Sequence, residues 1–375
     1  MSLYSGACGK DSLFCMIKDK MMEAKMTTDN SMFRAAIIGL GFIGAGDQVS
    51  GDAIGQKVSD LEGTHAQALA AHPQVQLVTG ASRDEGRRTR FEKRTGIDKT
   101  YADWRELLAA EKLDILSVAT NSPYHAEITA ACAEAGVRAV FCEKPIATRL
   151  SDADRALRAC REHGTLLAVN HHRRWHPLWR TVADEIRAGV IGDVYHVVVH
   201  WATGRLGNVG THWFDALGML LGAEAQAVSG TFDPVVHPDC RGSEYCDPGG
   251  WGIVAFSGGI KAFIHGPQEA EFPLVLRVAG SLGQLTLRGK CVSVELWSGD
   301  KRSIAAPSAG PNAIELAVQD IVKCLATGGT PADTGEDALA ALEIIIGFHV
   351  SDRLRGQWVP LPIGGADRDL EVRIG

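Results

Sequence analysis

From residue 33 onward the hydrophobic pattern alternates between two kinds of segment. Short runs in which nearly every position is apolar occupy 35–39, 76–81, 115–119, 139–142 and 166–169, each bounded by turn residues. Between most of them lie stretches with apolar residues at helical spacing, at 66–71, 86–94, 102–110, 124–135 and 152–163. Strands apolar on both faces, separated by amphipathic helices, predict a parallel sheet covered on both sides. Ser151, ahead of Asp152 and Asp154, reads as the N-cap of the last of these helices.

After about Asn170 the period changes. One helix is predicted over 176–188, ending at Gly189. Runs that alternate apolar and polar positions follow at 194–201, 253–256, 259–264, 274–278, 284–287 and 292–297. Gly258-Gly259 and Ser281-Leu282-Gly283 stand where hairpin turns would fall. A period of two leaves one face of a sheet available, so a large, open, mostly antiparallel sheet is expected. Helices over 311–326 and 336–353 and a strand near 358–361 complete the pattern. The fold class is α/β: a doubly wound Rossmann domain at 33–172, then an α+β domain for substrate binding and oligomerisation at 173–375.

Composition narrows the class. A chain of 375 residues can bury two cores, and 45% hydrophobic with 22% charged residues fits a globular protein. A formal charge of −7 offers no basic surplus for nucleic acid. No apolar run reaches the roughly 18 residues needed to cross a membrane. Nine cysteines without a C-x-x-C pair argue against a disulfide framework and for a reduced cytoplasm. Residues 1–32 hold six of the seven methionines among polar residues and lack the apolar core of a signal peptide. They read as a disordered or over-long extension outside the fold.

The candidate chemistry begins just after the first strand. Gly39-Leu40-Gly41-Phe42-Ile43-Gly44 is a G-x-G-x-x-G turn, which lets backbone N–H groups approach a pyrophosphate. The helix that should open at the third glycine is delayed, because 45–63 is polar and glycine-rich. That insertion reads as a surface loop rather than a flap over the cofactor. At the end of the second strand, where NAD-binding sheets place an acid for the ribose, stand Ser82 and Arg83, with Arg87 and Arg88 a turn later. With no carboxylate to repel a 2′-phosphate, NADP is favoured over NAD; the alternative is that Asp84 serves the ribose.

The strand at 139–142 ends on Glu143-Lys144-Pro145, and its neighbour on Thr120-Asn121-Ser122-Pro123. Ligands bind beyond the carboxyl ends of such strands, so these charges belong to the ligand edge and not to the core. A lysine there can serve proton transfer at a substrate hydroxyl, with the proline stiffening the turn.

Together the GLGFIG turn, NSPYH at 121–125, EKP at 143–145, NHHRRWHP at 170–177, GTHWFD at 210–215 and TGEDALAALE at 334–343 resemble the glucose–fructose oxidoreductase / inositol dehydrogenase (Gfo/Idh/MocA) family. The likeness runs from Phe33 to Leu361 in order and spacing, the insertion apart. It implies NAD(P)-linked oxidation or reduction of a sugar or cyclitol carbinol. The family's lysine falls on Lys144. Thr120, Asn121, Pro123, His125 and Glu143 join the glycine turn, Ser82, Arg83 and Arg87 as cofactor contacts. The family's acid, three residues, histidine element places His212 correctly but holds Asn208 where the acid belongs. Asparagine can orient a hydroxyl and cannot take a proton, so proton transfer falls to Lys144 and His212, with Asp215 expected to hold the imidazole.

His172 and Arg173 are expected at the substrate, with Arg174 pairing structurally. The segment His237 to Cys246 matches no common zinc spacing, so no metal is expected. The exposed sheet face, with Trp297, suits a homo-oligomer contact. Asn208 also leaves open a dinucleotide sensor without turnover, and relatives of this fold include glycosidases that use retained NAD.

Overall fold

The computed structural model describes residues 32–202, 204–234, 242–268, 273–305 and 310–374. Among these, β1 (Phe33–Ile38), β2 (Val75–Ala81), β3 (Thr100–Tyr101), β4 (Ile115–Val118), β5 (Ala139–Cys142) and β6 (Leu166–Val169) form one sheet. Its order is β3-β2-β1-β4-β5-β6, parallel throughout. Strand order reverses between β1 and β4, which opens a crevice at their carboxyl ends. The connections carry α1 (Phe42–Ala45), α2 (Gln48–Asp52), α3 (His65–Ala71), α4 (Glu85–Thr95), α5 (Trp104–Ala110), α6 (His125–Glu134) and α7 (Leu150–His163). The last helix starts at Leu150, not at the expected Ser151 cap. Leu150 is fully buried, and Arg149 precedes it without a side-chain cap.

The second half opens with α8 (Pro177–Arg187), β7 (Val194–His200), α9 (Gly210–Leu221) and β8 (Ala225–Phe232). Then come β9 (Gly250–Phe256), β10 (Lys261–Gly266), β11 (Val275–Gly280), β12 (Gly283–Arg288), β13 (Cys291–Leu296) and β14 (Lys301–Ile304). Two helices, α10 (Ala313–Thr327) and α11 (Gly335–Arg353), and β15 (Val359–Pro360) follow. The nine strands run β14-β13-β12-β11-β7-β10-β9-β8-β15, antiparallel except where β7 meets β10. Both proposed hairpin turns are present, with Gly258 at φ 74° and Gly259 at φ 81° in the left-handed region between β9 and β10. Strand β8 is not legible in the apolar pattern because the ring of Phe348 from α11 presses on it. A side chain at Gly230 would come within 2.5 Å of that ring, so small residues are required there.

Helices α10 and α11 both open with capping boxes, Asn312 with Glu315 and Thr334 with Asp337. The first of them crosses back to the parallel sheet. Its Ile314, Ala317, Val318, Ile321 and Val322 are buried with Ala35, Ile37 and Phe141, the larger side chains contributing about 2 kcal/mol each. Trp175 Nε1 donates to Asp320 of the same helix at 3.0 Å. Among the described residues no helix is long and apolar enough to cross a membrane.

Candidate active site

A cleft of about 980 Å³ lies at the β1/β4 reversal. It is lined by Gly39, Gly41, Phe42 and Ile43 after β1, Ser82, Arg83 and Arg87 after β2, and Thr120, Asn121 and His125 after β4. Glu143 and Lys144 after β5, His172 after β6, and Asn208 and His212 at α9 complete the wall. The sites anticipated from sequence therefore converge, with three exceptions. Gly44, Pro123 and Arg173 do not line the cleft. Gly44 is a packing glycine, since a Cβ there would come 2.0 Å from the Gly39 carbonyl. The Arg173 guanidinium is buried against the rings of Trp213 and Trp179, at 4.2 and 5.0 Å, and its Nε and one terminal nitrogen have no hydrogen-bond partner. Burial lowers it to about 10.

The glycine turn fits a dinucleotide. A side chain at Gly41 would protrude into open space, meeting only Ser50 Oγ at 4.0 Å, and the first amides of α1, like those of any helix, have no partner within the helix. Beside it the insertion does not behave as a surface loop. Ser50, Ile54, Gln56 and Leu61 line the cleft. Asp47 anchors the segment: it is fully buried and accepts from Arg90 Nε at 2.6 Å and Arg90 NH2 at 2.9 Å. Burial would raise the Asp47 carboxyl, but the Arg90 and Ser50 hydrogen bonds overrule it and hold the group at about 2. Ser50 Oγ donates to Asp47 at 2.6 Å and accepts from Arg87 Nε at 2.9 Å. The insertion thus sets the direction of Arg87. Asp84 caps α4 by accepting from the Arg87 amide at 2.7 Å, and Arg83 lies over the Tyr124 ring at 5.6 Å.

At the other end, Lys144 Nζ donates to Asn208 Oδ1 at 2.6 Å and to the Asn208 carbonyl at 3.3 Å. Glu143 is buried behind it. Its Oε1 accepts from His65 Nε2 at 2.9 Å and Asn170 Nδ2 at 2.6 Å, while Ser117 Oγ meets His65 Nδ1 at 2.6 Å. Burial pushes the Glu143 carboxyl up, yet the His65 hydrogen bond, with the charges of His65 and Lys144, brings it down to about 2. His125 reaches the carbonyls of Pro145 at 2.7 Å and Thr120 at 2.9 Å, so it braces both loops.

Three imidazoles cluster opposite. The His212 ring is 4.7 Å from that of His172 and 5.8 Å from that of His171. Burial lowers all three: His171 to about 4, His172 to about 3, and His212 well below its usual range, helped by the Lys144 charge. They are neutral at physiological pH, and His212 Nδ1 has no hydrogen-bond partner. Asp215 does not hold His212 as expected. It accepts from Arg174 Nε at 2.7 Å, and burial raises it to about 6. Asp215 lies instead with Arg174 and His171, and it does not line the cleft. His171, Asp215 and Asp333 form the one group among the described residues close enough to hold a metal, within 4.8 Å. Arg174, 2.7 Å from Asp215 and 3.6 Å from Asp333, already supplies the positive charge there. Residues 237–241 of the cysteine-bearing segment lie outside the described residues.

Sequence reasoning missed His65, Asp47, Ser50, Asn170 and Asp247. Asn170 stood inside a quoted motif without a role. His65 and Asp247 gave no local signal, because their partners lie far along the chain. Asp47 and Ser50 pair with each other locally but meet Arg90 and Arg87 only through the fold.

The glycine turn, the strand reversal and the converging Lys144 and His212 define a dinucleotide-binding oxidoreductase. The oxidoreductase family with an NAD-binding Rossmann fold matches residues 33–171. D-apiose dehydrogenase of Paraburkholderia graminis is 26% identical, over 87% of this chain and 89% of that protein. Myo-inositol 2-dehydrogenase of Thermotoga maritima is 23% identical, over 86% and 96%. A solved levoglucosan dehydrogenase, in complex with NADH and levoglucosan, superposes with a TM-score of 0.75 at 18% identity, covering 89% of this chain and 100% of that one. Over its dinucleotide-binding half the chain is similar to the Gfo/Idh/MocA oxidoreductases, and the protein is an NAD(P)-dependent oxidoreductase.

Proposed function

We propose that the protein transfers a hydride between a nicotinamide and a secondary hydroxyl, or the corresponding ketone, of a sugar, sugar derivative or cyclitol. The observation that carries this is the Lys144 ammonium held on Asn208 in the same cleft as the glycine turn. The nicotinamide, when bound, supplies or accepts the hydride. In reduction Lys144 Nζ gives its proton to the carbonyl oxygen; in oxidation the neutral amine takes it from the hydroxyl. Asn208 orients the amine, and the neutral His212 and His172 rings offer hydrogen bonds to neighbouring hydroxyls. Ser82, Arg83 and Arg87 favour NADP. Arg87 supports this most strongly, because Ser50 fixes its direction.

The test is a screen of sugars, sugar acids and inositols with both coenzymes, followed at the reduced-nicotinamide absorbance. With the best substrate, Lys144→Ala is expected to lower kcat by at least about 100-fold while coenzyme binding persists. Near-normal turnover removes Lys144 from the chemistry, and a tighter Kd for NAD than for NADP removes the phosphate argument. Coenzyme binding with no turnover of any polyol points to a sensor; retained NAD with net hydrolysis points to a glycosidase.

The same reading includes a homo-oligomer formed through the outer face of the antiparallel sheet. Phe263 lies there between its strand partners Ile253 and Val198, and Trp251 is 56% exposed alongside. Trp297 sits at the β11–β12 end, donating to the Gly280 carbonyl at 3.1 Å.

A further inference from the structure

The cleft has one feature the family resemblance left unresolved. Position 208, next to the lysine, carries an amide where an acid was expected, yet the turn that presents it is not without a carboxylate. Asp247, 39 residues further on, is buried beneath it. Its Oδ1 accepts from the Gly207 amide at 2.6 Å and its Oδ2 from the Asn208 amide at 2.7 Å. The neighbouring Pro248 carbonyl accepts from the Leu206 amide at 2.8 Å, so this short segment clamps three consecutive peptide groups.

The turn it clamps is strained. Arg205 has φ 59°, in the left-handed region that a non-glycine residue rarely occupies, and its carbonyl accepts from both Val209 and Gly210 at the start of α9. Such a conformation persists only where its surroundings determine it. Gly207 is closed from behind as well: a Cβ there would come 2.3 Å from Ile374 and 2.9 Å from Asp247 Oδ1. The charged and titratable groups facing Asp247 among the described residues are Arg205, 3.9 Å from Oδ2, Lys144, and the adjacent Cys246 thiol.

We propose that Asp247 is the positioning residue of the proton-transfer site, supplying from a distant loop the carboxylate that position 208 lacks. Two peptide dipoles lie between it and Lys144. One N–H of residue 208 points at the carboxylate, while the carbonyl and side-chain oxygen of the same residue point at the ammonium. The carboxylate holds the turn, the turn holds the amide oxygen on Nζ, and the buried negative charge stabilises the ammonium without touching it. Asn208 can then orient the lysine and still leave its NH2 for a substrate oxygen, which an acid at that position would lack.

This inference rests on Lys144 being the proton-transfer group, and the experiment separates the two. Asp247→Asn keeps the volume but turns an NH2 toward one of the two amides. In the holoenzyme kcat is expected to fall about tenfold or more, with coenzyme Kd changed less than twofold, as for a misplaced catalytic group. Adding Asn208→Asp to that variant returns charge beside Lys144 and is expected to recover part of kcat. In a Lys144→Ala background the Asp247→Asn change is expected to cost no further turnover, because the two act as a unit. An unchanged kcat in Asp247→Asn overturns the proposal, as does a full tenfold loss persisting in the Lys144→Ala background. Turnover surviving Lys144→Ala itself overturns the underlying reading instead. Should Asp247→Asn not fold, hydrogen exchange on the intact enzyme decides: the Gly207 and Asn208 amides must be protected, and exchange at the rate of an exposed loop overturns the proposal.

Discussion

Replacing Glu143 by glutamine tests the electrostatics of the strand tip. The carboxylate is only 6% exposed and accepts from His65, Asn170 and the Lys144 amide at 2.9, 2.6 and 3.3 Å. Held at about 2 against an ordinary 4.5, it contributes roughly 3 kcal/mol to folding at neutral pH. Because the folded value is the lower one, that contribution is fully present above about pH 4.5 and is lost as the pH falls toward 2. About 2 kcal/mol of it should be gone at pH 3. Glu143→Gln removes the charge and puts an NH2 among three donors. Urea unfolding followed by tryptophan fluorescence should show the variant about 3 kcal/mol less stable at pH 7 and only about 1 kcal/mol less stable at pH 3. A gap of equal size at both pH values would refute the reasoning, since it would mean that the carboxyl titrates alike in folded and unfolded chains.

Asp47→Asn should loosen the insertion from Arg90 and weaken coenzyme Kd by about tenfold, read by calorimetric titration, with the loss falling on coenzyme binding rather than on kcat. An equal loss in kcat with unchanged Kd would show that the insertion serves the chemistry instead. Phe263→Lys should shift the protein toward monomer in light scattering, and an unchanged mass would take the sheet face out of the assembly.

Much of this architecture can be read from periodicity. The strands at 139–142 and 166–169 coincide with β5 and β6, and the period-two runs lie on the antiparallel sheet, because burial on two faces or on one leaves different spacings. Strands that resist such reading have particular reasons. Four-residue β14 is an edge with three exposed positions, and β8 is shaped by Phe348 from more than a hundred residues away. At the site, contiguous motifs located Lys144, His212 and the glycine turn. Asp47, His65 and Asp247 escaped, because each is defined by a partner that only the fold brings near. Asp215 was misassigned for a related reason: spacing along a helix says which residues share a side, not which neighbour that side meets.

The return of α10 across the parallel sheet has a consequence for how the molecule is made. A nascent chain that has emerged only as far as residue 172 carries Ala35, Ile37 and Phe141 with the cover formed by Ile314 to Val322 still unsynthesised. The coenzyme half therefore takes part of its apolar cover from far along the chain. The part of its sheet that α10 covers stays open to water, and to chaperones, until more than a hundred further residues have been translated.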